Sequence, residues 1–453
     1  MVRLSLAALA FLATITVATR VASADQIAEI VVEENTKTTT DTVTFLAKID
    51  VGDEWTPDMG ETIKRNLVSS GLFQDVEVFW EPVQKGVRVH ILAKDKHSWV
   101  IAPALYNQPT NKGGGVGFGE NNLFGENQKL LLYGQIASGD SFFIGAWLIP
   151  SIAGTRFSAQ FDTFLKSSRN IEYAEPTKYI PDTPAQEVRK SRIHYLNGGL
   201  TLGVELWRGF RIEGRLRGAK VSYVRSKTTY AGIDGDEMNE LGLPEGERPP
   251  NPGAEGWDVS NEWKATIDRR ANWYGVQSGH KYAVTFEQAL PQLGSDFHYQ
   301  LVTVSLFKAW QVLTRHNLVM KGNLNYGHHL PFQQEFLTGG TSMRGYLNNQ
   351  FRGDFKAGAN IEYSVPTISV YGLSMRALVF LDSAYTTFLT TSNPERNYLP
   401  NSQVRGLDGF RNSVGGGVRF YLRQIVLPLL GLDVGYGLEA RDVQVYLAIG
   451  LTD

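Results

Sequence analysis

The residue that could form the most specific contacts is Arg344, which stands in the run Gly-Gly-Thr-Ser-Met-Arg-Gly-Tyr. A guanidinium group can bond a carboxylate through two parallel donors, and its planar face can stack on an aromatic ring. Such contacts hold chain segments together. On its own, the run does not distinguish an anchoring arginine from an ordinary loop arginine, so the surrounding elements must decide.

Three other patterns do not meet the requirements of a phosphate-binding, metal or catalytic site. The glycine-rich stretch from Gly113 to Gly119 has neither the Lys-Ser/Thr pair nor the helix that a phosphate-binding loop needs. His328 and His329 are adjacent, so in a strand they would face opposite sides and chelate a metal poorly. No serine or cysteine lies in a recognisable nucleophile elbow. We therefore predict no metal, no cofactor and no enzymatic activity.

The first residues have the features of a secretory signal peptide. Arg3 supplies a positive charge, an apolar stretch follows from Leu4 to Val17, and Ala22-Ser23-Ala24 gives a small-x-small cleavage pattern. A membrane anchor is the alternative, but the apolar stretch is short for a span of about 20 residues. We predict that residues 1–24 are removed and that Asp25 begins the mature chain.

Composition restricts the class of the mature protein. No later apolar run is long enough for a transmembrane helix, and the chain has no cysteine and 46 glycines. Without disulfides, burial and backbone pairing alone must hold the fold, and a closed barrel pairs every strand. Lys+Arg (44) and Asp+Glu (46) nearly balance, which gives no indication of a nucleic-acid partner.

Residues 97–453 alternate between apolar and polar side chains with a period of two, in about 15 or 16 segments. From Asn317 to Tyr326 the two faces are clear: Leu318, Met320, Leu324 and Tyr326 oppose Asn317, Lys321, Asn323 and Asn325. In another segment four charged residues share one face: Arg211, Glu213, Arg215 and Arg217. The pattern predicts an antiparallel transmembrane β-barrel, apolar toward lipid and polar toward the lumen.

The predicted connections between strands are unequal in length. Leu206 to Gly209 is tight, whereas Ser167 to Glu187 and Ser226 to Ser260 are long and polar. Outer-membrane barrels have short turns on the periplasmic side and long loops outside the cell. We therefore expect the two long loops to be extracellular.

Residues 25–96 differ from the remainder and predict a small α+β domain. Ile27–Val32 is a short apolar strand, Thr40–Ile49 can form a helix, and a second helix begins near Pro57 and ends at Gly71. Two alternating segments then form a hairpin. The predicted order is β-α-α-β-β.

The segment NLVSSGLFQDVEV in this domain resembles a polypeptide-transport-associated (POTRA) domain. In that family the segment after the second helix reads Leu-x-x-x-Gly-Leu-Phe-x-x-Val, and the matching residues here are Leu67, Gly71, Leu72, Phe73 and Val76. The resemblance implies a sheet edge that can accept an extended client segment as an added strand.

The run around Arg344 resembles the characteristic motif of the BamA/TamA family of outer-membrane assembly and translocation factors. The residues that carry the resemblance are Gly339, Gly340, Met343, Arg344, Gly345 and Tyr346. In that family the motif lies on a long loop folded into the lumen of a sixteen-stranded barrel. There its arginine meets partners on the two following strands.

The resemblance assigns those partners to Glu362 on one strand and to Phe380 and Asp382 on the next. The strand phase agrees independently, because all three residues lie opposite the apolar face. The resemblance thus implies that Arg344 pins the loop inside the barrel.

The resemblance also implies the function: cofactor-free insertion or translocation of unfolded clients at the bacterial outer membrane, with the POTRA domain in the periplasm. Expected partners are the lipid bilayer, client proteins and periplasmic accessory proteins. In the family the first and last strands, here near Trp99–Phe118 and Val443–Leu451, pair weakly and can part.

Two alternatives to this function stay open. One is a secretion pore dedicated to one partner, a class that usually carries two POTRA domains and a plug helix; the other is a passive, porin-like barrel.

Overall fold

A computed structural model shows how the predicted elements are arranged. It describes residues 25–56, 58–173, 187–207, 209–224, 252–273, 276–370, 373–389, 410–422 and 428–449. The predicted signal peptide lies outside the described residues. Two compact units are present: the smaller contains the described residues up to Ser98 with Phe124–Asn127, and the larger contains Trp99–Leu123 and the described residues from Gln128 onward.

The smaller unit is a four-stranded sheet with two helices. Its elements are β1 (Asp25–Glu33), α1 (Thr40–Ala47), β2 (Glu54–Trp55), α2 (Asp58–Ser70), β3 (Phe73–Val83) and β4 (Gly86–Asp95). The strand order is β2-β1-β4-β3, with β1 and β4 parallel and the other pairs antiparallel. The order predicted from the sequence is present, with β2 in addition, because a two-residue strand is too short for alternation to reveal.

Residues of the POTRA-like segment build the core of this unit. Leu67, on the inner face of α2, is fully buried, and Leu72, Phe73 and Val76 pack in the same cluster. Gly71 has a φ of 73°, a left-handed conformation that ends α2 at little cost in a residue without a Cβ. The motif therefore sets the path of the chain from helix to strand.

The larger unit is a closed antiparallel barrel, as predicted. Its strands are β5 (Trp99–Gln108), β6 (Asn111–Leu123), β7 (Gln128–Ala137), β8 (Asp140–Ile149), β9 (Phe157–Tyr173), β10 (Glu187–Trp207), β11 (Phe210–Val224), β12 (Gly256–Asp268), β13 (Ala271–Trp273), β14 (Val276–Ala289), β15 (Tyr299–Gln311) and β16 (Asn317–His328), and, after a lumen segment, β19 (Phe355–Val370), β20 (Leu373–Thr387), β21 (Phe410–Leu422), β22 (Pro428–Gly437) and β23 (Asp442–Ile449). Since β13 continues β12 after a short break, the described residues form sixteen barrel strands.

Side chains divide between the two faces of the barrel as the alternation predicts. On β16, Met320, Leu324 and Tyr326 are exposed on the outside, whereas Asn317 and Asn325 are buried. An exposed apolar outer band beside a polar interior is the arrangement that a lipid bilayer requires of a barrel.

Two predicted loops are shorter than expected. β9 continues to Tyr173 and β10 begins at Glu187, while β11 ends at Val224 and β12 begins at Gly256. Polar residues such as Ser168 remain in register with both neighbouring strands. Beyond the lipid band, backbone pairing does not need apolar side chains. Polar residues that belong to the ends of strands were therefore assigned to the loops.

The connection from β16 to β19 is the segment that lies in the lumen, and we call residues 329–354 the lumen loop. It contains a small hairpin, β17 (Phe336–Thr338) and β18 (Phe351–Gly353), and two short 3-10 helices, Phe332–Gln334 and Gly340–Ser342. A third 3-10 helix, Pro291–Leu293, lies between β14 and β15. No helix within the described part of the chain is long and apolar enough to cross a membrane.

Candidate functional site

Arg344 lies in the barrel interior, where its side chain is almost completely buried. Its Nε and Nη2 each donate a hydrogen bond of 2.9 Å to a different carboxylate oxygen of Asp382, and its backbone N–H donates to the same carboxylate at 3.1 Å. The guanidinium carbon lies 3.3 Å from the ring centroid of Phe380. The structure thus brings together the bidentate pair and the stacked ring that the residue types permit.

Two further acids complete the surroundings of this arginine. Nη1 of Arg344 lies 3.5 Å from Glu362 and 3.2 Å from Asp433, and Arg419 donates to both oxygens of Asp433 at 2.6 and 2.7 Å. Asp433 and Arg419 escaped the sequence analysis because they lie outside the motif. The one signal in the sequence was Asp433 itself, which is an isolated acid among the glycines and apolar residues of β22.

The backbone of the motif lies directly against β22. Gly345 has a φ of 95°, and a Cβ at this position would stand 2.5 Å from the backbone nitrogen of Gly437. A Cβ on Gly435 would in turn stand 2.7 Å from the backbone nitrogen of Gly345. Glycines on both sides therefore permit an approach that any side chain would block.

The other motif residues close the tip of the lumen loop. Gly339 and Gly340 have φ values of 121° and 65°, and the N–H of Gly340 donates to the carbonyl of Tyr346 at 3.2 Å. Met343 and Tyr346 are buried in one small cluster. The Tyr346 hydroxyl also donates to the carbonyl of Asn412 at 3.1 Å. Each motif residue therefore shapes the loop or attaches it to the wall.

A second attachment holds the other half of the lumen loop. Gln334 donates a hydrogen bond of 2.9 Å to Asp258 on β12. Asp258 also accepts from Arg217 at 3.0 Å, and the same Arg217 nitrogen bonds Glu287 at 2.7 Å and the Tyr299 hydroxyl at 2.6 Å. Arg217 belongs to the charged row on β11, so that row faces the lumen and is paired there.

Contacts within the lumen loop connect its two arms. Arg352 forms a buried ion pair of 2.8 Å with Glu335, and its guanidinium carbon lies 4.2 Å from the ring centroid of Phe332. Phe332 packs into an apolar cluster with Tyr223, Tyr299 and neighbouring residues of the wall. The loop is thereby braced internally as well as attached at both ends.

A cavity of about 370 Å³ lies beside the lumen loop. Polar and charged side chains dominate its lining, and the charged ones include Lys321, Lys356, Glu362, Arg376 and Arg419. Such an interior suits a hydrated, polar polypeptide segment better than an apolar ligand.

The barrel closes between its first and last strands, which we call the seam. Within the described residues the seam has three register pairs, Leu447 with Asn107, Ala448 with Tyr106 and Ile449 with Leu105. By contrast, the same described residues of β23 form eight pairs with their other neighbour, β22.

The expectation that His328 and His329 face opposite sides of a strand was wrong. β16 ends at His328, and His329 takes a left-handed φ of 56°, so the two rings lie 4.1 Å apart instead of facing opposite sides. No group of three or more His, Cys, Asp or Glu side chains suited to a metal occurs in the described part of the chain.

Comparison with known proteins identifies the family. The Omp85 superfamily domain matches residues 122–442, which is more than half of the chain. The chain belongs to the Omp85 superfamily. The Omp85 match contains the lumen loop, Arg344 and its partner strands, and it ends where β23 begins. A search of curated proteins gives no match.

Solved Omp85 structures share the fold at low sequence identity. BamA from Haemophilus ducreyi lacking POTRA domains 1–3 is 15% identical, with a TM-score of 0.62, covering 94% of this chain and 84% of that one. CdiB from Acinetobacter baumannii (14%, TM-score 0.63) and CdiB from Escherichia coli (13%, TM-score 0.63) each cover 94% of this chain, and 74% and 76% of their own. This Omp85 barrel is a bacterial outer-membrane protein.

Proposed function

We propose that this protein inserts unfolded barrel proteins into the outer membrane by opening its seam, without a cofactor and without catalysing a covalent reaction. The observation that carries the proposal is the contrast across β23: its eight described residues form eight register pairs with β22 and only three with β5. Separating strands costs less where fewer backbone hydrogen bonds must be broken.

The composition of the seam strands supports the same role. Pro103 has no N–H to donate, and it lies in the middle of β5. When the seam opens, the free edge of β5 can pair with a client strand, which is the usual mode of β-augmentation.

The lumen loop restricts where the barrel can open. Arg344 joins β20 to β22 through Asp382 and Asp433, and Glu362 on β19 lies beside them. These contacts stiffen the wall that leads up to β23. Opening is then confined to the seam, which is the role we propose for Arg344.

We further propose that residues 25–96 form a POTRA domain in the periplasm and residues 97–453 the membrane barrel. β3 is an outer strand of the small sheet, and Phe79 and Trp80 on it are exposed. A free strand edge with apolar side chains suits an extended client segment or an accessory protein.

Client folding in liposomes tests the insertion proposal. We expect the reconstituted protein to accelerate folding of an unfolded outer-membrane barrel, and Arg344→Ala to abolish the acceleration while its own barrel stays folded. A disulfide between Asn107→Cys and Leu447→Cys should block activity until it is reduced. Its matched control joins Asn107→Cys to Lys112→Cys across β5 and β6, a register pair that need not separate.

The same experiment separates the alternatives. No acceleration by the wild type, together with steady ion conductance, contradicts insertion and supports a pore. A pore dedicated to one partner should then need Arg344 for translocation of that protein. A passive barrel should conduct equally with Arg344→Ala.

A further inference from the structure

The tip of the lumen loop contacts both strands of the seam. We propose that residues 345–348 latch the seam from inside, with Tyr446 on β23 and Gln108 on β5 as the positioning residues. This inference rests on the proposed function, because it names the contacts that control seam opening.

On the β23 side the latch is a single hydroxyl group. The Tyr446 hydroxyl accepts a hydrogen bond of 3.0 Å from the N–H of Gly345 and donates one of 2.7 Å to the carbonyl of Tyr346. Tyr446 is 4% exposed, so water does not compete freely for these bonds. Phenylalanine would fill the same space but could make neither bond.

On the β5 side the latch is an amide pair. Asn348 donates a hydrogen bond of 2.8 Å from Nδ2 to Oε1 of Gln108, the last residue of β5. Both Gln108 and Tyr446 line the lumen cavity. The loop therefore holds the two strands through side chains that face the interior, away from lipid.

The strand register explains the position of the latch. The described pairing runs from Ile449 to Leu447 on β23, opposite Leu105 to Asn107 on β5. One step further along the same antiparallel register stand Tyr446 and Gln108, and no backbone pair is described there. The loop thus joins the strands at the first position beyond the described pairs.

The latch is effective because the loop itself is fixed. Arg344, adjacent to Gly345, is bonded to Asp382 and Asp433 on strands outside the seam. Tyr446 therefore ties β23 to a rigid part of the wall and not to a free loop. For the seam to open at this point, β23 must lose its bonds to the loop backbone or β5 must lose its bond to Asn348.

Distance measurements between spin labels test the latch directly. The chain has no native cysteine, so Leu105→Cys and Val445→Cys, both on the outer face, accept labels without further changes. We would compare the full protein in nanodiscs with its Tyr446→Phe and Asn348→Ala variants. We expect each variant to raise the ratio of separated to closed seams on the order of fivefold, the effect of losing about one net hydrogen bond.

Tyr133→Phe is the matched control, since it removes a hydroxyl that bonds Gln135 on β7, away from the loop. Unchanged distances in both Tyr446→Phe and Asn348→Ala, with barrels that keep heat-modifiable gel migration, would overturn the latch. A distance shift without any client-folding activity of the wild type would instead contradict the proposed function and leave the latch standing.

Discussion

Gln334 donates a hydrogen bond to Asp258 on β12, halfway around the strand order from β23, where Tyr446 holds the other end of the same loop. The lumen loop therefore connects opposite walls of the barrel. The two attachments use their arginines differently: Arg344 belongs to the loop and bonds acids of the wall, whereas Arg217 belongs to the wall and holds the acid that Gln334 contacts.

Asp258→Asn should strongly destabilise the barrel. Arg217 would keep Glu287 as an acid partner but lose part of its charge compensation in a fully buried site, which costs on the order of 3 kcal/mol. The measurement is the temperature at which folded gel mobility is lost. Asp162→Asn is the matched control, because its partner Arg215 is 19% exposed and lumen water can compensate. Equal losses in the two variants would contradict the argument.

Arg344→Lys should behave almost like Arg344→Ala. An ammonium group cannot bond both oxygens of Asp382 in one plane while stacking on Phe380. We expect client folding to slow by about tenfold or more, given the loss of a charge-assisted bidentate bond. Arg156→Lys, at an exposed position between β8 and β9, should leave the rate unchanged. A fully active Arg344→Lys protein would show that charge alone suffices.

Gly435→Ala should displace the lumen loop although it adds a single methyl group. The new Cβ would stand 2.7 Å from the backbone nitrogen of Gly345 and 2.8 Å from the carbonyl carbon of Arg344, so the loop backbone must shift. Limited trypsin digestion reports the change, because Arg344 should become cleavable. Gly218→Ala is the control, since a Cβ there meets nothing within 4 Å. Protection of Arg344 in both variants would argue against close contact.

Asp95 should make the small domain sensitive to acid. Partial burial disfavours its charged form, but hydrogen bonds from the Thr38 hydroxyl and from the N–H groups of Lys37, Thr38 and Thr36 outweigh this and lower the pKa of Asp95. A lowered pKa contributes stability that is complete above the unfolded value of about 3.9 and is lost as pH falls through the folded value.

Hydrogen exchange of the amides of Thr36, Lys37 and Thr38 measures this contribution. Protection should be constant from neutral pH down to about 4 and fall below it. Asp95→Asn should lower protection already at neutral pH. Protection that persists unchanged in acid would refute the assignment.

The sequence predicted the fold well because both of its signals are local. Alternation along each strand and the helix-ending Gly71 depend on neighbouring residues, so the barrel and the small domain follow from short windows. The exceptions have the same origin. β2 has only two residues, which is too few to show alternation. The polar ends of β9 and β12 carry no apolar signal.

From the sequence, only those residues of the candidate site could be predicted that belong to the family motif or to its known partner strands. The motif indicated Arg344, Glu362, Phe380 and Asp382, and the structure places these residues together. Asp433, Tyr446 and the partners of Arg217 were missed, because barrel closure brings together side chains from several strands and no local pattern contains these contacts. The glycines of β22 belong to no motif, and only the structure shows that the lumen loop lies against them.

The attachments of the lumen loop also set an order of events during folding. Its contacts join residues 38 positions apart at Asp382, 101 apart at Tyr446 and 240 apart at Gln108. Closing such long chain segments is entropically costly, and contacts of this kind form after local hairpins. The loop can make all of these contacts at once only after the last strand has joined the first, so the complete set of contacts marks a barrel that has finished its own assembly.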